Sequence, residues 1–68
     1  MNPELIGNRL TELRKNANKS RLQVAKDTGI TISALSNYEN GLRIPRDEAK
    51  QRIAGYYGVS IDELFYAS

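Results

Sequence analysis

Residues 20–41 read S-R-L-Q-V-A-K-D-T-G-I-T-I-S-A-L-S-N-Y-E-N-G, and this stretch decides the fold. It predicts two short helices that meet at Gly29-Ile30-Thr31. Ala25 is small enough for the second helix to cross closely over the first. Gly29 can adopt the left-handed conformation that ends a helix, because it has no Cβ to clash. Thr31 can then cap the N-terminus of the next helix with its hydroxyl oxygen.

This arrangement is a helix-turn-helix, a unit whose second helix is shaped to enter the major groove of DNA. Further motifs follow it along the chain: Tyr38-Glu39-Asn40-Gly41, Pro45, Tyr57-Gly58-Val59-Ser60 and Asp62-Glu63-Leu64. With these motifs the chain resembles the Cro/phage-repressor (Xre-type) family of DNA-binding domains, from about residue 5 to about residue 65. The resemblance implies an all-α fold, a compact five-helix lambda-repressor-like domain. We expect one domain over residues 1–68, with the helix-turn-helix at about 20–40.

Capping residues and helical periodicity predict where the first two helices begin. Asn2 can cap the first helix, with Pro3 at its first position, where a missing N–H costs nothing. Ser20 with Gln23 three residues on is a capping-box pattern that opens the second helix. A similar pattern at residues 60–63 opens a last short helix. The predicted helices therefore start at residues whose side chains favour a helix N-terminus.

The fourth helix is predicted at about residues 47–57, with Gly58 ending it. Related domains usually carry Leu near positions 47 and 50, where this chain has Asp47 and Lys50. Either the first turn of this helix is exposed, or these two residues make polar contacts. Gly55, in the middle of the helix, costs about 1 kcal/mol relative to alanine.

Composition narrows the classes of function. The chain has 68 residues, ten Lys and Arg against eight Asp and Glu, and a formal net charge of +2. It contains no Cys and no His, so we expect no disulfide, no metal site and no cofactor. No apolar run exceeds four residues and no secretory signal opens the chain, which indicates a cytoplasmic protein without a membrane span.

The solvent face of the third helix carries the residues predicted to contact DNA bases: Ile32, Ser33, Ser36 and Asn37. The Asn37 amide can bond adenine N6 and N7 bidentately, which is worth about 1–3 kcal/mol of discrimination. The serine hydroxyls discriminate weakly, and Ile32 can pack on a thymine methyl group. The alternatives are that the polar residues are simply solvated and that Ile32 folds back onto the neighbouring helix.

Phosphate contacts are expected at polar and basic residues before the second helix and after the third: Ser20, Arg21, Asn40, Arg43, Arg46 and Lys19. Related domains often have Gln at the position of Arg21, which bonds a backbone phosphate. Arginine adds charge and a bidentate fork that suits a phosphate. Each of these side chains could instead be solvated.

Two further roles follow from the resemblance. In related domains an Arg at the position of Arg14 pairs with the Glu of the Glu-Asn-Gly motif, so Arg14 and Glu39 are expected to form a structural ion pair. The C-terminal helices of related domains often form the dimer contact, which makes Tyr56, Phe65 and Tyr66 candidate interface residues. Aromatic residues this near a terminus can equally belong to the core.

The resemblance implies a transcriptional regulator, a repressor in the first instance, encoded by a phage, a mobile element or a bacterial chromosome. It would bind a palindromic operator as a homodimer, with half-sites about 34–36 Å apart. The alternative is a protein-interaction module such as an antitoxin, which binds a regulatory partner protein and can also repress its own operon. An enzyme is disfavoured, because the chain has no His, no Cys and no glycine-rich phosphate loop.

Overall fold

Five helices build the fold in the computed structural model, which describes residues 1–67. Four are α-helical: α1 (Pro3–Asn16), α2 (Arg21–Thr28), α3 (Ile32–Glu39) and α4 (Asp47–Tyr57). The fifth, α5 (Asp62–Tyr66), is a short π-type helix. The described residues contain no strand, so the predicted all-α, five-helix fold is confirmed. None of these helices is long and apolar enough to cross a membrane.

The first three helices begin at the capping residues that the sequence predicts. Asn2, Ser20 and Thr31 each accept a hydrogen bond at 3.1 Å from the backbone N–H three residues on. The capping box at Ser20 is only half formed, which corrects the prediction. The Gln23 amide donates to Asp27 Oδ1 at 2.8 Å, one turn further along α2, instead of reaching back to Ser20.

One apolar core lies where the inner faces of all five helices meet. Its members are Ile6, Leu10, Val24, Leu35, Tyr38, Ile53, Ala54, Leu64 and Phe65. The spacing of three and four residues within α1 and α3 places these side chains on one face of each helix. The inner face of α3 therefore packs against the core, and its opposite face lies toward solvent.

A close crossing in the core joins α1 to the end of α3. A Cβ on Gly7 would lie 2.5 Å from the Glu39 carbonyl oxygen and 2.9 Å from that of Tyr38. Real side chains do not approach a carbonyl this closely, so only glycine allows the two backbones to meet here. Gly7 therefore sets the depth at which the end of α3 rests on α1.

At the start of α4, where related domains usually carry Leu, both alternatives are observed: one polar residue is exposed and the other makes a polar contact. Asp47 is almost fully exposed, whereas Lys50 is 7% exposed. The Lys50 Nζ donates to the Tyr66 hydroxyl at 3.0 Å and lies 4.9 Å from the centre of the Tyr66 ring. A buried lysine thus finds its polar partner in α5 and ties α4 to it.

Candidate nucleic-acid interface

A short turn between α2 and α3 sets the direction of α3. Gly29 ends α2 in the left-handed conformation, with φ at +75°, and its N–H donates to the Ala25 carbonyl at 2.9 Å. A residue with a Cβ is strained in this conformation, which is why the turn uses glycine. Thr31 then caps α3 through its hydroxyl oxygen. The first turn of α3 consequently begins at the surface of the molecule.

The outer face of α3 carries the four residues predicted to contact bases. Ile32 is 42% exposed and Ser33 is exposed, whereas Ser36 and Asn37 are half-buried. On the inner side, Leu35 and Tyr38 belong to the core. This outer face therefore offers two hydroxyls, one carboxamide and one branched apolar side chain, which are groups that can reach base edges in a groove.

The end of α3 is held by a partly buried ion pair between Glu39 and Arg14. Arg14 Nε lies 2.9 Å from Glu39 Oε2, and Arg14 Nη2 lies 3.1 Å from Oε1. The Glu39 side chain is only 4% exposed. The hydrogen bond to Glu39 raises the pKa of Arg14 above its ordinary value. The structure thus brings these two residues together in the arrangement that the resemblance implies.

Sequence reasoning missed a third charged member of this cluster. Arg21, the first residue of α2, places its Nε 3.0 Å from Glu39 Oε1. No local pattern indicates this contact, because the two residues belong to different helices. The sequence does carry a signal for the α1 side of the cluster. On α1, Gly7, Thr11 and Arg14 are spaced by four and three residues, and all three face Glu39.

The other residues predicted to contact phosphate are exposed: Lys19, Ser20, Asn40, Arg43 and Arg46. Two of them also have a structural role. The Lys19 carbonyl accepts a hydrogen bond from Arg14 Nη1 at 3.1 Å, and Ser20 caps α2. Arg43 and Arg46 border an open cleft of about 320 Å³ beside α4. Exposed polar and basic groups thus precede α2 and follow α3.

The three aromatic residues predicted as interface candidates differ in their surroundings. Phe65 is 2% exposed and belongs to the core, which is the alternative that the sequence left open for it. The half-buried Tyr56 donates its hydroxyl to Asp27 Oδ2 at 2.6 Å, a bond that lowers the pKa of Asp27 and raises that of Tyr56. Tyr66 is exposed over about half of its surface. No continuous aromatic patch is left in this part of the described chain.

Residues 10–64 match a protein-family model described as helix-turn-helix. The cryptic phage CTXphi transcriptional repressor RstR of Vibrio cholerae is 39% identical over 59 residues, which is 87% of this chain and 53% of that protein. The HTH-type transcriptional regulator AnsR of Bacillus subtilis is 43% identical over 56 residues, 82% of this chain and 48% of its own length.

A third relative, the HTH-type transcriptional regulator PuuR of Escherichia coli, is 34% identical over 59 residues, covering 87% of this chain and 32% of its own length. The chain therefore spans about half, or less, of the length of these relatives. No solved structure is significantly similar to it.

Proposed function

The chain belongs to the helix-turn-helix family, and from this premise we propose that it is a sequence-specific DNA-binding transcriptional repressor. Its relatives carry the names of a phage repressor and of transcriptional regulators, which supports this class of function. The family supplies a unit made for the major groove, and the side chains of this chain decide what that unit reads.

The proposal is carried by one observation, the exposure of the first turn of α3. Ile32 and Ser33 lie at this turn and face solvent, while the core holds the helix from the opposite side. In a helix-turn-helix the N-terminal residues of the second helix contact base edges. α3 is therefore the helix that we place in the major groove.

Within that groove, Asn37 is the residue with the sharpest chemistry. Its carboxamide can donate to adenine N7 and accept from adenine N6 at the same time, a pairing that no other base reproduces in the major groove. Ser33 and Ser36 accept or donate to several bases, and Ile32 can contact a thymine methyl group. We therefore expect a half-site that contains an adenine opposite Asn37.

Operator binding is proposed to need two copies of the chain. A single outer face of α3 covers only a few base pairs, and paired half-sites one helical turn apart, about 34–36 Å, add a second set of contacts. A two-fold symmetric pair would read an inverted repeat.

The experiment is a selection from randomised duplex DNA, repeated at several salt concentrations. Enrichment of an inverted repeat, with affinity that falls steeply as salt rises, is the expected result, because phosphate contacts release counterions. Binding that ignores sequence, or no binding to any duplex, would overturn the proposal. The size of the bound complex in the same titration reports whether two copies bind each operator.

The alternative, a module for protein capture, would be favoured by an exposed apolar patch around Tyr56, Phe65 and Tyr66, and Phe65 lies in the core. The hydroxyl groups of both tyrosines are bonded within the chain, to Asp27 and Lys50. We therefore keep DNA binding as the single proposed function.

A further inference from the structure

The Glu39 carboxylate is shared by two arginines that come from different helices. Arg14, on α1, bonds both of its oxygens, and Arg21, at the start of α2, bonds Oε1 through Nε at 3.0 Å. The side chain of Glu39 is 4% exposed, that of Arg14 is 15% exposed and that of Arg21 is 36% exposed. Arg21 is therefore the member of the cluster that reaches solvent.

Arg21 uses only one edge of its guanidinium for Glu39. Within residues 1–67, its terminal groups Nη1 and Nη2 make no hydrogen bond to the protein. A guanidinium is planar and carries five N–H donors in a fixed fork. Anchoring Nε therefore fixes the plane in which the two terminal groups point, and those groups match two oxygens of one phosphate.

The charges of the cluster also leave room for an anion. Two guanidiniums share one carboxylate, so the cluster carries one surplus positive charge, and its exposed part is Arg21. A DNA phosphodiester carries one negative charge, which would balance the cluster. Lys19 lies two residues before Arg21 and is exposed, which adds to the positive potential beside the same helix end.

We propose that Glu39 is a positioning residue, which holds Arg21 by Nε so that Nη1 and Nη2 grip one phosphate of the DNA backbone. The proposal rests on the proposed function and deepens it. Glu39 ends α3 and Arg21 begins α2, so the grip on the phosphate is tied directly to the helix that reads the bases. An arginine that is already held also loses less side-chain freedom when DNA binds.

The test is a double-mutant cycle of Glu39→Gln and Arg21→Ala, read out as affinity for a labelled duplex of random sequence. Salt is varied from about 50 to about 200 mM, the range over which phosphate contacts lose affinity steeply. Removing a carboxylate raises the attraction of any protein for DNA through long-range charge, and it does so with or without Arg21. Only the positioning of Arg21 makes the effect of Glu39→Gln depend on Arg21, so the coupling isolates it.

We expect Arg21→Ala to reduce the slope of log affinity against log salt by about 0.9, the value for one phosphate contact. Glu39→Gln should cost about fivefold more affinity with Arg21 present than with Ala at that position. The matched cycle of Glu39→Gln with Lys19→Gln should be additive, since Lys19 makes no side-chain contact with Glu39. Equal effects of Glu39→Gln in both Arg21 backgrounds would overturn the inference.

Two readouts keep the inference testable if Glu39→Gln does not fold. Arg21→Lys keeps the charge and hence the salt slope, but an ammonium group lacks the fork and should bind about fivefold more weakly. In the unaltered protein without DNA, the Arg21 Nε–H should exchange with water more slowly than that of exposed Arg43. Wild-type affinity in Arg21→Lys, or equal exchange at the two arginines in the free protein, would overturn it.

The same titrations separate this inference from the proposed function. If the unaltered protein binds no duplex, the proposed function fails and the inference fails with it. If the selection from randomised duplex DNA enriches an inverted repeat and the cycle is additive, the proposed function stands and the positioning role of Glu39 is wrong.

Discussion

Gly7 lies directly against the Glu39 carbonyl, so that a Cβ at position 7 would be 2.5 Å from the carbonyl oxygen. The obstacle is backbone, and it cannot move aside as the end of a flexible side chain can. α1 and α3 would have to separate to admit even a methyl group. The end of α3 carries the Glu39 cluster, so this close approach supports both the fold and the candidate site.

Gly7→Ala should therefore destabilise the protein by about 2 kcal/mol, even though alanine is the better helix former. Urea unfolding followed by circular dichroism measures this change. A variant as stable as the unaltered protein would mean that α1 and α3 can separate without loss of stability. The crossing would then be less tight than the structure shows.

Gly55→Ala should have the opposite effect, stabilising the protein by roughly 0.5–1 kcal/mol. Gly55 is an exposed residue within α4, and a Cβ there meets no atom within 4 Å. Thermal unfolding should shift upward by about 4 °C. Gly58→Ala is the matched control, because it has equal room but a φ of +69° and should lower the melting temperature.

The bond between Lys50 and Tyr66 should contribute measurably to stability. Tyr66→Phe removes only the hydroxyl and should cost about 1 kcal/mol. Lys50→Ala should cost more, about 2 kcal/mol, because the buried stem and the contact with the Tyr66 ring are lost as well. Lys26→Ala, at an exposed lysine of α2, is the control for loss of charge. Equal stabilities for Lys50→Ala and Lys26→Ala would contradict the structural role of Lys50.

Stability should fall in alkaline solution between pH about 10 and about 12, in part because of Tyr57. Burial, with the nearby Glu39 carboxylate second, raises the pKa of Tyr57 to about 12 from an ordinary value of 10.0. In this window the unfolded chain has released the Tyr57 proton and the folded protein has kept it, so rising pH favours unfolding.

Tyr57→Phe should make the free energy of unfolding less dependent on pH over that window, as measured by urea unfolding at a series of pH values. The unaltered protein is the reference for this comparison. Tyr38 is not used for a control variant, because it belongs to the core and is less suited to replacement. An unchanged pH dependence in Tyr57→Phe would show that other groups cause the alkaline loss.

Asn37→Ala should relax the base preference at one position of each half-site and leave stability nearly unchanged. The loss of a bidentate contact with adenine corresponds to about a tenfold loss of discrimination, at the lower end of the expected range. Selection from randomised duplex DNA with this variant checks the change. Asn8→Ala, at an exposed asparagine on α1, is the control. A selected motif that is identical for both variants would show that Asn37 is not one of the base-contacting residues.

The sequence predicts those parts of the fold that local chemistry determines. The fourth helix was expected at about residues 47–57 and is observed at Asp47–Tyr57. Its first turn has the acidic residues that favour a helix N-terminus, and Gly58 adopts the left-handed conformation that ends it. Such signals act within a few residues, and for that reason one sequence suffices to read them.

Contacts between helices could not be predicted in the same way. Gly7 and Gly55 look alike in sequence, each a glycine inside a helix, yet one is in close contact with α3 and the other meets nothing. Arg21 likewise looks like a solvated cation until the fold brings Glu39 to its Nε. The Ser60 cap shows where α5 begins, but it does not reveal that the path of α5 buries Phe65.

The wide turn of α5 explains how so short a segment completes the core. Consecutive residues of a regular α-helix diverge by about 100° around its axis. In α5 the bond from the Ala67 N–H to the Asp62 carbonyl adds a residue to the turn and narrows that angle, and the neighbours Leu64 and Phe65 are both buried. Deleting one residue from α5 would turn either Leu64 or Phe65 toward solvent. It would thereby expose the part of the core that α5 covers.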